Sequence, residues 1–332
     1  MTVPEPPEVG AFAVKRSRAA LKRVRREAAE LPAGLQASAH QLLERPEGRS
    51  LHTYEHRILS SRGEDGITIE ILRRIGIRHR KAVELGCGAN GGNVGVLVAG
   101  LGFEGLLVDG DEELVGFARS LFAGYPATVV QGWIARDTVS GLLSENGFDM
   151  ELDYLGLDLD GIDYWIWDAL PARARIVVCE YNPFFGPKES LVIPYDPEFV
   201  RATRDDHGNF VHAKSYYGAS LRALVSLGRG KGYRLVSSVP HSHNVYFLRE
   251  DVAADLPALS VAAAFQPPVK GKDGTPHQRE RYERIQKQGA REYYERLGAP
   301  LITVEGPGRI RGQILPRLAR LVGRRSSERG AK

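Results

Sequence analysis

A glycine-rich turn between two apolar segments constrains the fold of this chain more than any other feature. The first segment, Lys81–Leu85, has the length of a buried strand, and helical apolar spacing resumes over residues 93–101. Between them, glycines at 86, 88 and 91 match the nucleotide-binding turn G-x-G-x-x-G. Glycine lets the backbone bend tightly there and approach a ligand closely, because it has no Cβ. The pattern predicts a strand–turn–helix unit beside a ligand.

A carboxylate stands two residues before the first glycine and indicates what kind of ligand this is. Glu84 would repel the pyrophosphate of a dinucleotide and would attract a ligand with a cationic head. S-adenosylmethionine carries an ammonium and a sulfonium, and class I methyltransferases have an acid at this strand end. The alternative for Glu84 is a structural role, as a helix cap or in a solvated turn.

A second acid marks the end of the next strand. The apolar segment Leu106-Leu107-Val108 ends at Asp109, 23 residues after Gly86. A carboxylate at this position of a βαβ unit can accept hydrogen bonds from both ribose hydroxyls of a nucleoside. Asp109 is therefore predicted to bind the cofactor, with helix capping again as the structural alternative.

Strands and helices alternate through the middle of the chain and predict a parallel sheet covered on both faces. Strands are expected near residues 81–86, 105–109, 127–131, 153–158 and 174–180, and helices near 92–101, 112–122, 137–144, 162–169 and 218–228. Two further β-rich segments, 233–238 and 244–248, are so close in sequence that they must pair antiparallel. The predicted fold is a Rossmann-like class I methyltransferase fold, α/β, with a mostly parallel seven-stranded sheet and a terminal antiparallel hairpin.

Three regions are expected along the chain: a basic helical N-terminal extension over 1–58, a methyltransferase domain over 59–255, and a linker with a basic helical C-terminal extension over 256–332. Their helices are predicted over residues 11–30, 279–297 and 308–325. Glu64 and Asp65 precede an apolar helical pattern, where acids suit the helix dipole and favour a capping role.

The charge distribution bears on partners. Residues 51–270 carry a net charge of −7, while the ends before and after them carry +3 and +8. An acidic body argues against a nucleic-acid groove across the core, and the basic ends are candidates for peripheral contact with a membrane surface. Two cysteines, no secretory signal and no apolar stretch of about 18 residues favour a cytoplasmic protein without a membrane span.

Acids follow two more predicted strands, and carboxyl ends of parallel strands meet at one edge of a sheet. Asp158, Asp160 and Glu180 are therefore expected to converge beside the sulfonium, where they can position a substrate hydroxyl and take its proton. Carboxylate oxygens can also hold Mg²⁺, so a magnesium ion remains an open alternative. Asp163 is expected to cap the following helix.

Seven segments occur in the order seen in FkbM-like class I methyltransferases, and the chain resembles that family over roughly residues 55–250. They are SSRGEDGITIEILRRIG, VELGCGANGGN, LLVDGDEE, DLDGIDYWIW, VVCEYNP, SYYGASLRAL and HNVYFL. The resemblance implies cofactor roles for Glu84, Gly86, Gly88 and Asp109, and an adenine contact at Gln131-Gly132-Trp133. It implies substrate contacts at Ser215, Tyr216 and Tyr217.

The predicted site is completed by residues beside these motifs. Cofactor contacts are also expected at Asn90, Gly110 and Asp158, and substrate contacts at Tyr181 and Asn182. The matched segments contain no His-Asp pair, which leaves the base open among Asp160, Glu180 and His212, with Asp158 beside them.

The sequence thus predicts an S-adenosylmethionine-dependent methyltransferase. The expected acceptor is a hydroxyl of a sugar, a glycan or another small metabolite in glycan or natural-product biosynthesis. An NAD(P)-dependent oxidoreductase would use the same glycine turn. A non-catalytic adaptor with basic ends is the alternative outside the enzymes.

Overall fold

The computed structural model of the chain describes residues 30–45, 50–171, 173–201, 215–239, 242–253, 255–268, 277–306 and 309–311. The predicted basic helix over 11–30 and most of the one over 308–325 lie outside the described residues, as does His212. Among the described residues, no helix is long and apolar enough to cross a membrane.

The central sheet contains seven strands in the order β3-β2-β1-β4-β5-β8-β7. The strands are β1 Lys81–Leu85, β2 Glu104–Asp109, β3 Ala127–Gln131, β4 Leu152–Leu157, β5 Ala174–Glu180, β7 Tyr233–Ser238 and β8 Asn244–Arg249. The first five run parallel, whereas β8 pairs antiparallel with both β5 and β7. The predicted mostly parallel seven-stranded sheet with a terminal antiparallel hairpin is confirmed.

Helices cover both faces of this sheet. They are α1 Leu35–Leu43, α2 Glu64–Ile75, α3 Gly95–Leu101, α4 Glu112–Leu121, α5 Val139–Glu145, α6 Asp163–Ala169, α7 Leu221–Gly230 and α8 Val261–Ala264, with short 3₁₀ helices at Leu51–Tyr54 and Pro183–Phe185. All six residues of β4 are buried, and its alternate side chains enter different cores. Leu155 and Leu157 pack with α5, α6 and α7, and Tyr154 packs on the face of α1, α2 and α3.

A second, antiparallel sheet was not expected from the sequence. It joins β6 Leu191–Val192, β9 Ile302–Val304 and β10 Ile310–Arg311 in the order β10-β9-β6. The prediction of a helix beginning at residue 308 is therefore wrong at Ile310 and Arg311, which form a strand. Strands of two or three residues are too short to show the alternation of apolar and polar residues that identifies a strand. The pairing of β9 with β6 also joins residues more than 100 positions apart in sequence.

Both predicted extensions contribute to buried packing. Ala39 of α1 is fully buried, and a Cβ at Gly100 of α3 would lie 2.9 Å from the Cβ of Ala39. The charged helix expected over 279–297 is divided at Gly289, with a φ of 91°, into α9 His277–Gln288 and α10 Ala290–Arg296. Tyr294 of α10 is fully buried, and its hydroxyl donates to the carbonyl of Ser215 at 2.8 Å.

Three acids at helix starts bond backwards along the chain rather than capping their own helices. Asp65 accepts hydrogen bonds from the N–H groups of residues 58, 59 and 60, at 2.6 to 2.9 Å. Glu64 accepts from the N–H groups of residues 62 and 63, and Asp163 from those of residues 159 and 161. The capping roles predicted for these residues are corrected: each holds the loop that precedes its helix, and neither helix has a side-chain cap.

Candidate functional site

The candidate site lies where the strand order reverses. The chain builds the sheet from β1 outward through β2 and β3, then returns to place β4 on the other side of β1. In open α/β sheets, this reversal opens a crevice at the carboxyl ends of the strands, where ligands bind. The ends of β1, β2, β3, β4 and β5 carry the residues singled out in the sequence.

The glycine turn after β1 is packed tightly against the end of β4. Gly86 has a φ of +94°, and a Cβ there would lie only 1.9 Å from the backbone oxygen of Asp158. The N–H groups of Gly86 and Cys87 both donate to the carbonyl of Val108, at 2.8 and 2.9 Å. Glycine is thus required at 86 by the closeness of the two strand ends, before any ligand is considered.

Asp109 connects the end of β2 to this turn. One carboxylate oxygen accepts from the N–H of Gly88 at 2.8 Å, and the other accepts from the N–H of Asp111 at 2.9 Å. The side chain is half-buried. These bonds fix the carboxylate of Asp109 between the glycine turn and the start of the next helix.

The remaining predicted cofactor residues form one wall of the crevice and its edges. Gly110 lies under the indole of Trp133, since a Cβ there would be 2.7 Å from a ring carbon. Trp133 is 38% exposed, and Gln131 beside it is also exposed. Asn90 has a structural contact, because its side-chain amide donates to the carbonyl of Leu59 at 3.1 Å.

Glu84 lies deeper than sequence reasoning placed it. Its side chain has no exposed surface, and its carboxylate is enclosed between two glycines. A Cβ at Gly92 would lie 2.6 Å from Oε1, and one at Gly156 would lie 2.1 Å from Oε2. Glu84 therefore lies below the turn. A direct contact with a ligand head group would require it to face the crevice, and it does not.

The carboxylate of Glu84 is nevertheless poorly satisfied. Neither oxygen completes a hydrogen bond with any described residue. Burial raises the pKa of Glu84 well above its usual range, the charge of Asp158 raises it further, and the backbone N–H groups of Asn93 and Val94 lower it.

Asp158, Asp160 and Glu180 converge as predicted. One carboxylate oxygen from each lies within 4.8 Å of the other two. Asp158 and Asp160 are open to solvent, and Glu180 is partly buried. Asp160 has a φ of 55°, a left-handed backbone conformation that few residues other than glycine adopt. The three side chains suit either a proton acceptor or a divalent cation.

A cation that sequence reasoning missed lies against these acids. The guanidinium of Arg201 forms a hydrogen-bonded ion pair with Asp160, and its Nη1 is 3.7 Å from a carboxylate oxygen of Glu180. Its central carbon lies 3.5 Å from the ring centroid of Tyr217. The hydroxyl of Tyr217 in turn donates to Glu180 at 3.3 Å. Arg201 stands 21 residues beyond Glu180, outside every recognised motif.

The charges of the cluster act on one another. The pKa of Glu180 is raised well above its usual range by burial and by Asp158, while Arg201 lowers it. The pKa of Asp158 is raised to about 8, first because neighbouring protein atoms displace water from its carboxyl and then by the charges of Asp160 and Asp163. Arg201 again lowers it. Raised carboxyl pKa values at a strand-end crevice are typical of groups that exchange protons in catalysis.

All five predicted substrate contacts lie inside the protein. They are Tyr181, Asn182, Ser215, Tyr216 and Tyr217, and each is less than 5% exposed. Asn182 uses its amide to hold the segment over 215–217, donating to the carbonyls of Ser215 and Tyr217 at 2.8 and 2.7 Å. The hydroxyls of Tyr181 and Tyr216 donate to the carbonyls of Gln266 and Pro300. Tyr217 is the member of the set whose hydroxyl contacts one of the clustered acids, Glu180.

Comparison of the sequence with protein-family models gives no match, and comparison with curated proteins gives no significant match.

Proposed function

We propose that this chain is an S-adenosylmethionine-dependent methyltransferase. The observation that carries the proposal is the acidic character of the crevice at the strand-order reversal. Carboxyl groups stand at or beneath the ends of four neighbouring strands. They belong to Glu84, Asp109, Asp158, Asp160 and Glu180, and the guanidinium of Arg201 pairs with the last two. Such a crevice favours a cofactor that carries positive charge.

The same charges disfavour the oxidoreductase alternative. The pyrophosphate of NAD(P) is anionic and would lie over the glycine turn, close to the carboxylate of Asp109, which already accepts from the N–H of Gly88. The strand order with a reversed β8 between β5 and β7 also agrees with the arrangement expected for class I methyltransferases. The fit of the residues to S-adenosylmethionine rests on Asp109 for the ribose and on Trp133 over Gly110 as a flat surface for the adenine.

When bound, S-adenosylmethionine supplies an electrophilic methyl group. The residues of the crevice then have two roles, which are to orient the acceptor and to take its proton. Glu180 and Asp158 have raised pKa values, so each, once ionised, is a stronger proton acceptor than an ordinary carboxylate. With the cofactor bound, the acceptor oxygen would receive the methyl group, the demethylated thioether would be the leaving group, and a carboxylate of this chain would take the acceptor's proton. The proposed acceptor is a hydroxyl of a sugar or other small hydroxylated metabolite.

A magnesium ion is compatible with the donor set. Asp158, Asp160 and Glu180 offer the oxygen ligands that Mg²⁺ prefers, and they lie close enough to share one ion. The ion would orient the acceptor and lower the pKa of its hydroxyl. Arg201 would have to leave Asp160 and Glu180 for the ion to bind, since its guanidinium neutralises both.

The proposal is tested by calorimetric titration of the full chain with S-adenosylmethionine and with NAD. We expect binding of S-adenosylmethionine alone, and a loss of about 1–3 kcal/mol in Asp109→Ala, because ribose hydroxyls would lose their acceptor. Glu145→Gln, on the exposed end of α5, is a control that should bind normally. Binding of NAD without S-adenosylmethionine would refute the proposal.

The role of metal is separated by measuring methyl transfer in EDTA, followed by addition of Mg²⁺. Full activity in EDTA would exclude a required ion, and activity lost in EDTA but restored by Mg²⁺ would establish one. S-adenosylmethionine binding measured in parallel distinguishes loss of the ion from loss of the cofactor site.

A further inference from the structure

A cleft of about 780 Å³ lies away from the candidate site, between α7 and the turn that joins β9 to β10. None of its lining residues belongs to the crevice described above. They are Ser190, Arg222, Val225, Ser226, Arg229, Gly230, Val261, Val304, Glu305, Gly306 and Arg309. The cleft is large enough for a small organic ligand.

Three arginines line this cleft against one carboxylate. Arg222, Arg229 and Arg309 form no ion pair with any residue that the structure describes, and Glu305 is the only carboxylate among the lining residues. The Nε of Arg222 donates to the carbonyl of Pro187 at 3.2 Å, which holds its guanidinium in place. A concentration of uncompensated positive charge is notable because residues 51–270 carry a net charge of −7.

Hydroxyl and apolar groups complete the lining. The Ser190 hydroxyl oxygen is buried and has no hydrogen-bond partner among the described residues, and the Ser226 hydroxyl belongs to the same lining. Val225, Val261 and Val304 add an apolar surface beside these polar groups. The lining therefore combines anion recognition with contact to an apolar body.

We propose that this cleft binds a phosphoryl group carried on a molecule with an apolar part. Arginine guanidiniums present paired N–H donors that match phosphate oxygens, and the Ser226 hydroxyl provides a further donor. The valine surface receives the apolar part of the same molecule. Such a group is carried either by a soluble phosphate monoester or by an anionic lipid headgroup. The site is independent of the proposed methyl transfer.

The test uses the full chain and two probes. Calorimetry with phenyl phosphate measures the soluble source, and flotation with phosphatidylcholine vesicles, with and without phosphatidic acid, measures the lipid source. The double variant Arg222→Gln, Arg229→Gln and the variant Arg309→Gln remove charge from exposed side chains and should leave thermal unfolding unchanged. We expect binding on at least one arm, weakened at least tenfold in the double variant and less in Arg309→Gln.

The matched control is Arg279→Gln, Arg296→Gln, which removes two exposed guanidiniums from α9 and α10, away from the cleft. It should bind like the unaltered chain. Absence of binding on both arms would overturn the proposal. Equal weakening in the control would also overturn it, because the effect would then be general charge. So would vesicle binding that persists in the double variant, because the basic ends would then be responsible.

Discussion

Arg201 sets the electrostatic balance of the acids around it. A carboxyl that gains a cation within about 4–6 Å titrates at lower pH, and one that gains a neighbouring carboxylate titrates at higher pH. Glu180 experiences both effects, from Arg201 at 3.7 Å and from Asp158 within the 4.8 Å cluster. Burial and Asp158 raise the pKa of Glu180 more than Arg201 lowers it, so the net direction is upward.

Replacing Arg201 should therefore move the pH dependence of methyl transfer. A base must be ionised, so activity is expected to rise with pH through the raised pKa of the carboxyl that accepts the proton. In Arg201→Gln that pKa loses its lowering influence, and the rising limb of kcat/KM should shift upward by roughly 1 pH unit. The pH profile of both proteins measures this, with Arg279→Gln as the control. A limb that stays in place, or that moves to lower pH, would show that these acids do not supply the base.

At the scale of secondary structure, the ends of β1 and β4 are held together by the absence of a side chain at Gly86. A Cβ on Gly86 would lie only 1.9 Å from the backbone oxygen of Asp158, so there is room for a hydrogen atom but not for a side chain. A larger residue at 86 therefore disturbs the fold as well as any ligand, because the backbone of either β1 or the segment after β4 must move.

We expect Gly86→Ala to lower the free energy of unfolding by roughly 2–5 kcal/mol, from the positive φ and the overpacking together. The matched control is Gly116→Ala in α4, where a Cβ would meet nothing within 4 Å. That change should be neutral or stabilise the chain by about 0.5–1 kcal/mol, since alanine favours a helix. Denaturant unfolding measures both. Equal stability of the two variants would contradict the close packing at residue 86.

The long elements were predictable because their signals are local. Apolar runs followed by glycine or acid identified β1 to β5, and the short spacing between β7 and β8 required antiparallel pairing. The sheet of β6, β9 and β10 was not predictable, since strands of two or three residues have no period and pair across the sequence. In the site, Asp158, Asp160 and Glu180 followed from strand ends, whereas Arg201 lies in a segment without a recognisable pattern.

At the scale of the whole molecule, the predicted region boundaries at residues 58 and 255 do not separate independent units. The hydrophobic cores contain residues from both sides of each boundary. Leu35, Ala39 and Leu42 of α1 belong to the core that contains α2 and α3. After residue 255, Tyr294 and Leu301 belong to a core with Phe185 and Tyr216. The basic composition of the two ends does not indicate that they share these cores. Burial depends on contacts across the fold, which composition does not reveal.

A chain cut to residues 51–270 should therefore fail to unfold as one cooperative unit, whereas a chain cut to 30–311 should unfold like the full protein. The shorter chain exposes large apolar side chains that each contribute about 1.5–3 kcal/mol, against a typical net stability of about 5–15 kcal/mol. Thermal unfolding followed by circular dichroism compares them. Cooperative unfolding of the 51–270 chain at the temperature of the full protein would show that the two ends are not needed for the fold.

The placement of the tryptophans gives the crevice an optical property. Trp165 and Trp167 are 3% and 2% exposed and lie in the main core, so their emission is shielded from water and from soluble quenchers. Trp133 is 38% exposed, and its ring covers Gly110 next to Asp109. Of the three indoles in the chain, it is the one whose fluorescence responds to solvent. Binding of S-adenosylmethionine beside Asp109 should therefore change the emission of the unmodified protein, without any attached dye.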